Sequence, residues 1–345
     1  MKKAGLALAA LVLIVAVIAG AGVIQLNRFL DAPLAVPDDG AGFEIPAGSS
    51  FAQVARRLEA DGVLSDADIF RLWARWTDQA GSVQAGEYLI TAGTTPRQLL
   101  EQFTSGDVRL YSFTIIEGWT HWELLDALHA DPTLVATMSS EDWPGLLEEL
   151  GTEADWPEGL FLPETYRFPR NTTDRDVLKQ AYELMQKALD EEWQERAADT
   201  PATNPYEALV LASIVEKETA RADERERIAG VFARRLVKRM RLQTDPTVIY
   251  GIGPEFNGNL TRRDLRTDTP YNTYTRHGMP PTPIAMPGRA AIRAALHPAA
   301  GEELFFVATG IGDGSHKFSR TKDEHDAAVR EYLKRLREQR NGAGQ

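Results

Sequence analysis

Residues 209–219 read LVLASIVEKET and decide how the second half of the chain folds. The segment is apolar nearly all round until its end, so it predicts a buried helix. This helix runs directly into two carboxylates, Glu216 and Glu218. With about 3.6 residues per turn, Glu218 falls on the face of Leu211 and Ile214, whereas Glu216 falls on a different face.

The predicted position of Glu218 suits acid–base chemistry. A carboxyl packed against apolar neighbours is disfavoured in its charged form, so its pKa rises. A general acid that works near neutral pH needs such a raised pKa. The alternative is structural: Glu216 and Glu218 are solvated side chains that close the helix, with Lys217 as a local partner. The segment alone leaves both interpretations open.

Three polar, turn-rich segments follow downstream. They are RLQTDPTVIY at 241–250, YNTY at 271–274 and PPTPIAMPG at 280–288. We predict irregular structure for all three, because residues 241–302 are rich in proline and turn-forming residues. Amides, hydroxyls and aromatic rings on rigid loops suit a cleft for an uncharged, polyhydroxylated ligand.

The N-terminus predicts a membrane span. Lys2 and Lys3 precede an apolar run of 23 residues, Ala4–Leu26, in which only Gln25 is strongly polar. At about 1.5 Å per residue this helix crosses a hydrocarbon core of about 30 Å. The two lysines favour the cytoplasmic side, so the remainder should lie outside. The alternatives are a cleaved signal peptide and a buried soluble helix. Residues 27–42 are predicted to be a linker.

A small strand–helix–helix–strand pattern comes next. Phe43–Ile45 and Glu87–Ile90 are predicted strands. Between them, Ser50 with Gln53 and Ser65 with Asp68 predict the starts of two helices. The second helix carries the apolar residues Ile69, Leu72, Trp73 and Trp76, and for every tryptophan of the chain we expect a place in the core. A third helix is predicted from Pro96.

Length and composition limit the function classes. The chain has 345 residues, 43% of them hydrophobic and 26% charged, which suggests about two globular domains plus an appendage. Its net charge of −12 gives no sign of a nucleic-acid partner. The absence of cysteine excludes disulfides, thiolate metal sites and cysteine nucleophiles. The histidines form no tight ligand pair, so we expect neither metal nor cofactor.

Several motifs together resemble one known family, the endolytic murein transglycosylases, also called YceG-like. They occur in order as EGLFLPETY at 158–166, ASIVEKET at 212–219, RLQTDPTVIYG at 241–251, YNTY at 271–274, PI and PG within 283–288, and ALHP at 295–298. The resemblance covers the whole chain and is most specific over residues 158–320. Glu164 stands where many members have aspartate, which does not affect the candidate acid.

The resemblance implies an α+β fold with four parts. These are a cytoplasmic tip and transmembrane anchor (1–26), the linker (27–42), a LysM-like βααβ domain with its following helix (43–109), and a mixed α/β catalytic domain of the YceG-like type (110–345). It implies a single-pass protein of the bacterial inner membrane whose catalytic domain lies on the periplasmic side. Peptidoglycan strands are the implied partner, with peptidoglycan synthases as further candidates.

The implied reaction cleaves glycan strands between N-acetylmuramic acid and N-acetylglucosamine and leaves 1,6-anhydro ends on nascent strands, which limits their length. The catalytic glutamate of the family falls on Glu218. We assign to sugar binding Gln243, Asp245, Tyr250, Asn272 and Tyr274, each of which has loop scaffolding as its alternative role. The rival functions are a hydrolysing muramidase, with Asp245 activating water, and a noncatalytic peptidoglycan-binding scaffold.

Overall fold

A computed structural model describes residues 2–342, so Met1 and residues 343–345 of the predicted first and last domains lie outside the described range. The chain divides into two compact units. One holds the residues up to Tyr111 together with Arg167–Arg170, and the other holds Ser112–Tyr166 together with the residues from Asn171 onward.

The first helix, α1, spans Lys2–Asp31. Its part Ala10–Asp31 is long and apolar enough to cross a membrane. The predicted linker is wrong in its first part, because the helix continues to Asp31 and Leu30 is buried. Leu34 is buried in the same core, against which Leu26 and Phe29 also pack. The last turns of α1 are therefore part of the small unit.

The small unit has the predicted strand–helix–helix–strand order, but its likeness to LysM stays a prediction. Its elements are β1 (Ala41–Ile45), α2 (Phe51–Ala60), α3 (Ala67–Trp76), β2 (Gly86–Ile90) and α4 (Pro96–Ser105). The strands β1 and β2 are antiparallel, with Phe43 opposite Tyr88. Both of these side chains are buried, so the sheet contributes one face to the core.

The helices α2 and α3 begin close to where the capping residues predict, but the cap of α3 is shifted by one residue. The Gln53 Oε1 atom accepts a hydrogen bond from the Ser50 backbone N–H at 2.9 Å, as a capping box requires. For α3 the predicted cap is wrong by one residue, because Asp66 accepts from the Ile69 N–H at 2.9 Å. The expected core place is also wrong for Trp76 and for Trp156 of the larger unit, since both side chains are exposed.

The larger unit is mostly helical. Its elements are α5 (His121–Ala130), α6 (Trp143–Leu150), α7 (Asp174–Gln194), α8 (Pro205–Glu218), α9 (Arg225–Val237), α10 (Asp245–Ile252), α11 (Arg289–Leu296), β5 (Phe305–Ala308), β6 (His316–Ser319) and α12 (Lys322–Gly342). The residues of β3 (Leu110–Thr114) and β4 (Thr165–Pro169) are divided between the two units. The strands β3 and β4 pair, and β5 and β6 form an antiparallel pair. The described sheets are thus small.

Helix α8 is the central element of the larger unit. It packs against α7, α9, α10 and α11. Every residue from Ala208 to Val215 is buried, as the apolar segment predicts. The helices α10 and α11 correct the prediction of irregular structure in the turn-rich region. Pro246 occupies the first turn of α10, where proline is tolerated because the N–H it lacks has no partner within the helix.

Candidate active site

Glu218 is the last residue of α8, and its side chain is half-buried in the larger unit. The buried Thr244 hydroxyl donates a hydrogen bond to Glu218 Oε1. Burial raises the pKa of Glu218, and the neighbouring charge of Asp245 raises it further. The Thr244 hydrogen bond and the positive charges near the site oppose this rise. The net upward shift keeps the carboxyl protonated to a higher pH than an ordinary glutamate, as a general acid requires.

The end of a helix adds to this effect. The C-terminal end of a helix carries a partial negative charge, which disfavours a carboxylate there. Glu218 occupies this position in α8. The end of α8 therefore favours the protonated form of Glu218, as burial does.

Arg235 on α9 supplies a fixed positive charge near Glu218. Its guanidinium donates to the backbone carbonyls of Leu304 at 2.7 Å and Leu242 at 2.5 Å, and it lies over the Phe305 ring at 5.2 Å. Burial lowers the pKa of Arg235, while the charge of Glu218 counteracts this shift. Because carbonyls rather than a carboxylate hold the guanidinium, its charge remains available to a Glu218 carboxylate.

His316 and Glu224 form a second pair beside the site. The His316 Nδ1 lies 2.7 Å from Glu224 Oε2, and the His316 backbone N–H donates to Oε1 at 3.0 Å. A charge on His316 lowers the pKa of Glu218, so the two lie close enough to interact. Sequence reasoning missed His316, Glu224, Thr244 and Arg235 as site residues. These residues lie up to 92 positions apart in the sequence, and no local spacing pattern connects residues that far apart.

Asp245 and Tyr274 are brought together next to Thr244. The Tyr274 hydroxyl donates to Asp245 Oδ1 at 2.5 Å, and burial together with this bond raises the pKa of Tyr274. Gln243 is exposed, has a φ of +52°, and its N–H donates to the Thr273 carbonyl at 3.2 Å. These contacts join two of the predicted polar segments at the carboxyl of Glu218.

Asn272 does not present its side chain to a ligand. It is fully buried, and its amide nitrogen donates to the carbonyls of Asp264, Leu265 and Thr267 at 2.7–3.3 Å. Its Oδ1 accepts from the Tyr274 N–H at 2.9 Å. With every polar atom of the amide engaged, Asn272 shapes the loop that carries Tyr274. This scaffolding role corrects the assignment of Asn272 to sugar contact.

Tyr250 on α10 belongs to the wall of a cleft. Its hydroxyl accepts from Trp156 Nε1 at 3.1 Å, and its ring stacks on Trp122 at 5.2 Å. Burial is the main cause that raises the pKa of Tyr250. With Tyr250 and Trp122, Lys217 and Pro246 line a cleft of about 370 Å³. Lys217 and Pro246 directly adjoin Glu218 and Asp245 in the chain, but Glu218 itself is not among the residues that line this cleft.

Unlike Glu218, Glu216 is held by contacts that we interpret as structural. Its carboxylate accepts from the Gly288 N–H at 3.0 Å and lies 3.7 Å from Arg225. Burial raises the pKa of Glu216 as well. Lys217 donates to the Gly118 carbonyl at 3.0 Å. The alternative of two solvated glutamates partnered by Lys217 therefore does not describe this helix end.

The larger unit contains a second, larger cavity that Glu218 does not line. It has a volume of about 800 Å³ and is lined by Trp156, Tyr182, Tyr206 and Thr282 among others. Glu218 is not among its lining residues, so size alone does not identify the reactive centre. Among residues 2–342, no group of three or more histidine, aspartate and glutamate side chains could hold a metal ion.

The chain is similar to known proteins over most of its length. The model of the YceG-like family matches residues 43–331. A relative from Bacillus subtilis named endolytic murein transglycosylase is 30% identical over 308 residues, which cover 84% of each chain. A relative of the same name from Streptococcus pneumoniae is 26% identical, and the match covers 84% of this chain and 58% of that relative.

A solved structure has a similar fold. The crystal structure of a yceG-like protein from Listeria monocytogenes matches with a TM-score of 0.54 and 28% identity. The match covers 84% of this chain and 99% of the other. The similarity in sequence and fold therefore includes the larger unit that carries the candidate site.

Proposed function

This chain belongs to the YceG-like family, and we propose that it is a membrane-anchored lytic transglycosylase that cleaves peptidoglycan strands between N-acetylmuramic acid and N-acetylglucosamine. The observation that carries this proposal is the half-buried Glu218 carboxyl, which accepts the Thr244 hydroxyl and has a raised pKa. The names of the relatives from Bacillus subtilis and Streptococcus pneumoniae support the reaction class.

In the first step Glu218 acts as the acid. Its proton passes to the glycosidic oxygen as the bond to C1 of the muramic acid breaks, and the leaving N-acetylglucosamine keeps this proton in its new hydroxyl. The resulting carboxylate accepts the Thr244 hydrogen bond and lies in the field of Arg235. These two interactions stabilise the charge that the first step creates.

In the second step Glu218 acts as the base. It takes the proton of the muramic acid C6 hydroxyl while that oxygen bonds to C1, which closes the 1,6-anhydro ring. No water is consumed, and Glu218 is protonated again. One carboxyl is sufficient for this sequence, in contrast to the carboxyl pair of most glycoside hydrolases.

The neighbouring polar groups have separate roles in the proposal. Gln243, Asp245 and Tyr274 lie beside Thr244 and offer an amide, a carboxylate and a phenol for sugar hydroxyls. Tyr250 contributes to the cleft wall through its ring. The Tyr274–Asp245 bond fixes the direction of both side chains, so it would position the sugar before the chemical step.

Product analysis tests the reaction. Purified full-length protein is incubated with intact sacculi, and the new glycan ends are identified by mass spectrometry. The proposal expects 1,6-anhydro ends, whose mass lies one water below that of reducing ends. Asp245 favours one rival, a hydrolysing muramidase, because its carboxylate lies near enough to raise the pKa of Glu218. Reducing ends would support that rival, and no new ends would support a noncatalytic scaffold.

We also propose that α1 is retained as a single span of the bacterial inner membrane, with both folded units outside the cytoplasm. The apolar segment Ala10–Asp31 and the preceding lysines support this topology. The protein would then meet nascent strands where they are made, limit their length, and lie within reach of peptidoglycan synthases. A reporter fused after Gln345 should be active only outside the cytoplasm, and release of a soluble protein starting near Val23 would contradict the anchor.

A further inference from the structure

An exposed apolar stripe runs along α3 and consists of Ile69, Leu72 and Trp76. Leu72 is 72% exposed and Trp76 is 79% exposed, while Ile69 is partly exposed. Their spacing of three and four residues places them on one side of the helix. The opposite side holds Phe70 and Ala74, which are fully buried in the core of the small unit. A tryptophan exposed to this extent is unusual for a folded domain.

Side-chain contacts place this stripe near the end of α1. The Arg97 Nε lies 3.1 Å from Oδ1 of Asp31, the last residue of α1. The Arg97 guanidinium carbon also lies 5.6 Å from the centre of the Trp73 ring on α3. Trp73 precedes Trp76 by about one helical turn. The C-terminal half of α3 is therefore a neighbour of the point where α1 ends.

The length of α1 defines the depth, relative to the bilayer, at which this helix ends. The apolar run ends at Leu26, and Asp31 follows five residues later, which is about 7.5 Å along a helix. The headgroup layer adds about 5–7.5 Å on each side of a hydrocarbon core of about 30 Å. If Leu26 lies at the edge of that core, Asp31 lies at the outer edge of the headgroup layer, with Arg97 and Trp73 beside it.

We propose that the stripe of Ile69, Leu72 and Trp76 inserts into the interfacial layer of the bilayer that α1 crosses. The inference rests on the proposed span. The occupant is lipid because the stripe is adjacent to the end of the membrane helix within one folded unit. Tryptophan is favoured in this layer because its ring is apolar and its N–H remains near water. The small unit is thereby held to the membrane at a second point.

Single-cysteine labelling tests the proposal, since the chain has no cysteine of its own. Full-length Leu72→Cys and Trp76→Cys carry an environment-sensitive fluorophore in nanodiscs of phosphatidylethanolamine and phosphatidylglycerol. Arg56→Cys is the control, because it is exposed on α2 of the same unit and does not belong to the stripe. We expect a blue shift and strong quenching by headgroup-level nitroxide lipids at positions 72 and 76, and clearly weaker quenching at position 56.

A fourth variant, Val15→Cys at the middle of the apolar run of α1, separates this proposal from the span. Its quenching is measured with acyl-chain nitroxide lipids, because the centre of the core lies about 15 Å from the headgroups. Quenching at position 15 without quenching at 72 and 76 overturns the stripe proposal and leaves the span intact. No lipid quenching at position 15 overturns the span and the stripe proposal with it. A blue shift at 72 and 76 without lipid quenching also overturns the proposal, because a protein surface would then cover the stripe.

Discussion

Glu216 and Glu218 are separated by one residue, yet they have different surroundings. Glu218 accepts from the Thr244 hydroxyl, next to the Asp245–Tyr274 pair. Glu216 is tied to the start of α11 through the Gly288 N–H. Both carboxyls have a raised pKa, and in both cases the main cause is loss of solvation. The shift alone therefore does not separate acid from scaffold, and the identity of the hydrogen-bond partners does.

Replacing Glu218 with Gln should nearly abolish cleavage. The change preserves size and hydrogen bonding but removes the transferable proton. General acid–base assistance accounts for about 10²–10⁴-fold in rate, so turnover on sacculi should fall by at least that factor. The matched variant Glu216→Gln keeps an acceptor for Gly288 and should lose far less. A larger loss for Glu216→Gln than for Glu218→Gln would contradict the assignment.

The same Glu218→Gln variant should be more stable than the wild type at neutral pH. A raised pKa in the folded state means that stability is greatest below the unfolded pKa of about 4.3 and is lost as the pH rises through the folded pKa. Glutamine avoids this loss. Thermal melts should show a gain at pH 7.5 that disappears near pH 4, and about 1 kcal/mol corresponds to about 2–4 °C. An equal gain at both pH values would exclude ionisation as its cause.

Removing the Thr244 hydroxyl should shift the pH profile of the enzyme. This hydroxyl lowers the pKa of Glu218 by donating to its carboxylate. A hydrogen bond to a charged group contributes about 1.5–3 kcal/mol, or about 1–2 pKa units. In Thr244→Val the alkaline limb of kcat/KM should therefore move to higher pH by about that amount. Thr244→Ser keeps the hydroxyl and should show the wild-type limb.

The sequence predicts Glu218 but not the groups around it. Helical spacing is a local property, so an apolar run that ends in EKE predicts the face on which Glu218 lies, while the catalytic role assigned to it came from the family resemblance. Thr244, Arg235 and His316 reach the site through the packing of α9, α10 and β6. Such contacts depend on the tertiary fold and have no signal in residue spacing.

At the scale of elements, the start of α10 and the loop before Tyr274 together form one part of the candidate site. Thr244 is the residue before α10, and its side chain makes no bond to the helix it precedes. Its hydroxyl bonds to Glu218 instead. A residue type that commonly caps helices is thus used to orient a carboxyl, which costs the helix one cap bond.

Asn272→Ala should destabilise this loop and impair activity together. It would leave the carbonyls of Asp264, Leu265 and Thr267 without the amide donor. Each buried group without a partner costs about 1–3 kcal/mol, so the melting temperature should fall and KM should rise. Tyr274→Phe is the control, because it removes only the bond to Asp245. It should alter activity with little change in melting temperature, whereas wild-type melting of Asn272→Ala would argue against the scaffolding role.

Helix α10 illustrates why the turn-rich region was only partly predictable. Asp245, Pro246 and Gly251 are typical of turns, so composition favours irregular structure. Val248 and Tyr250 are nevertheless buried, and α10 packs against α8. Tertiary packing therefore outweighs weak local propensity, as is common for short helices. Prediction from spacing is limited in α3 as well. The apolar spacing predicts a face that carries Trp76, but it does not tell whether protein or another medium covers that face.

At the scale of the whole molecule, α1 and the small unit are joined through a shared core. Leu30 is 1% exposed, whereas Leu13 on the same helix is 67% exposed. Leu30→Ala should destabilise the small unit by about 2–5 kcal/mol, because it opens a cavity in a packed core. Leu13→Ala should have little effect on that unit. Hydrogen exchange of β1 and β2 in nanodiscs would measure both, and equal protection in the two variants would contradict the shared core.

This shared core also determines whether the enzyme could ever be shed. Proteases need an accessible, unpaired stretch of backbone, and such stretches usually lie in exposed loops. Between α1 and β1 the chain offers only residues 32–40, where the Leu34 N–H donates to the Thr94 carbonyl at 2.8 Å and the Ala35 N–H to the Val63 carbonyl at 3.2 Å. With the proposed anchor retained, strand cleavage would be confined to a two-dimensional layer along the membrane. Older layers of the wall beyond its reach would then be protected by geometry, without any dedicated inhibitor.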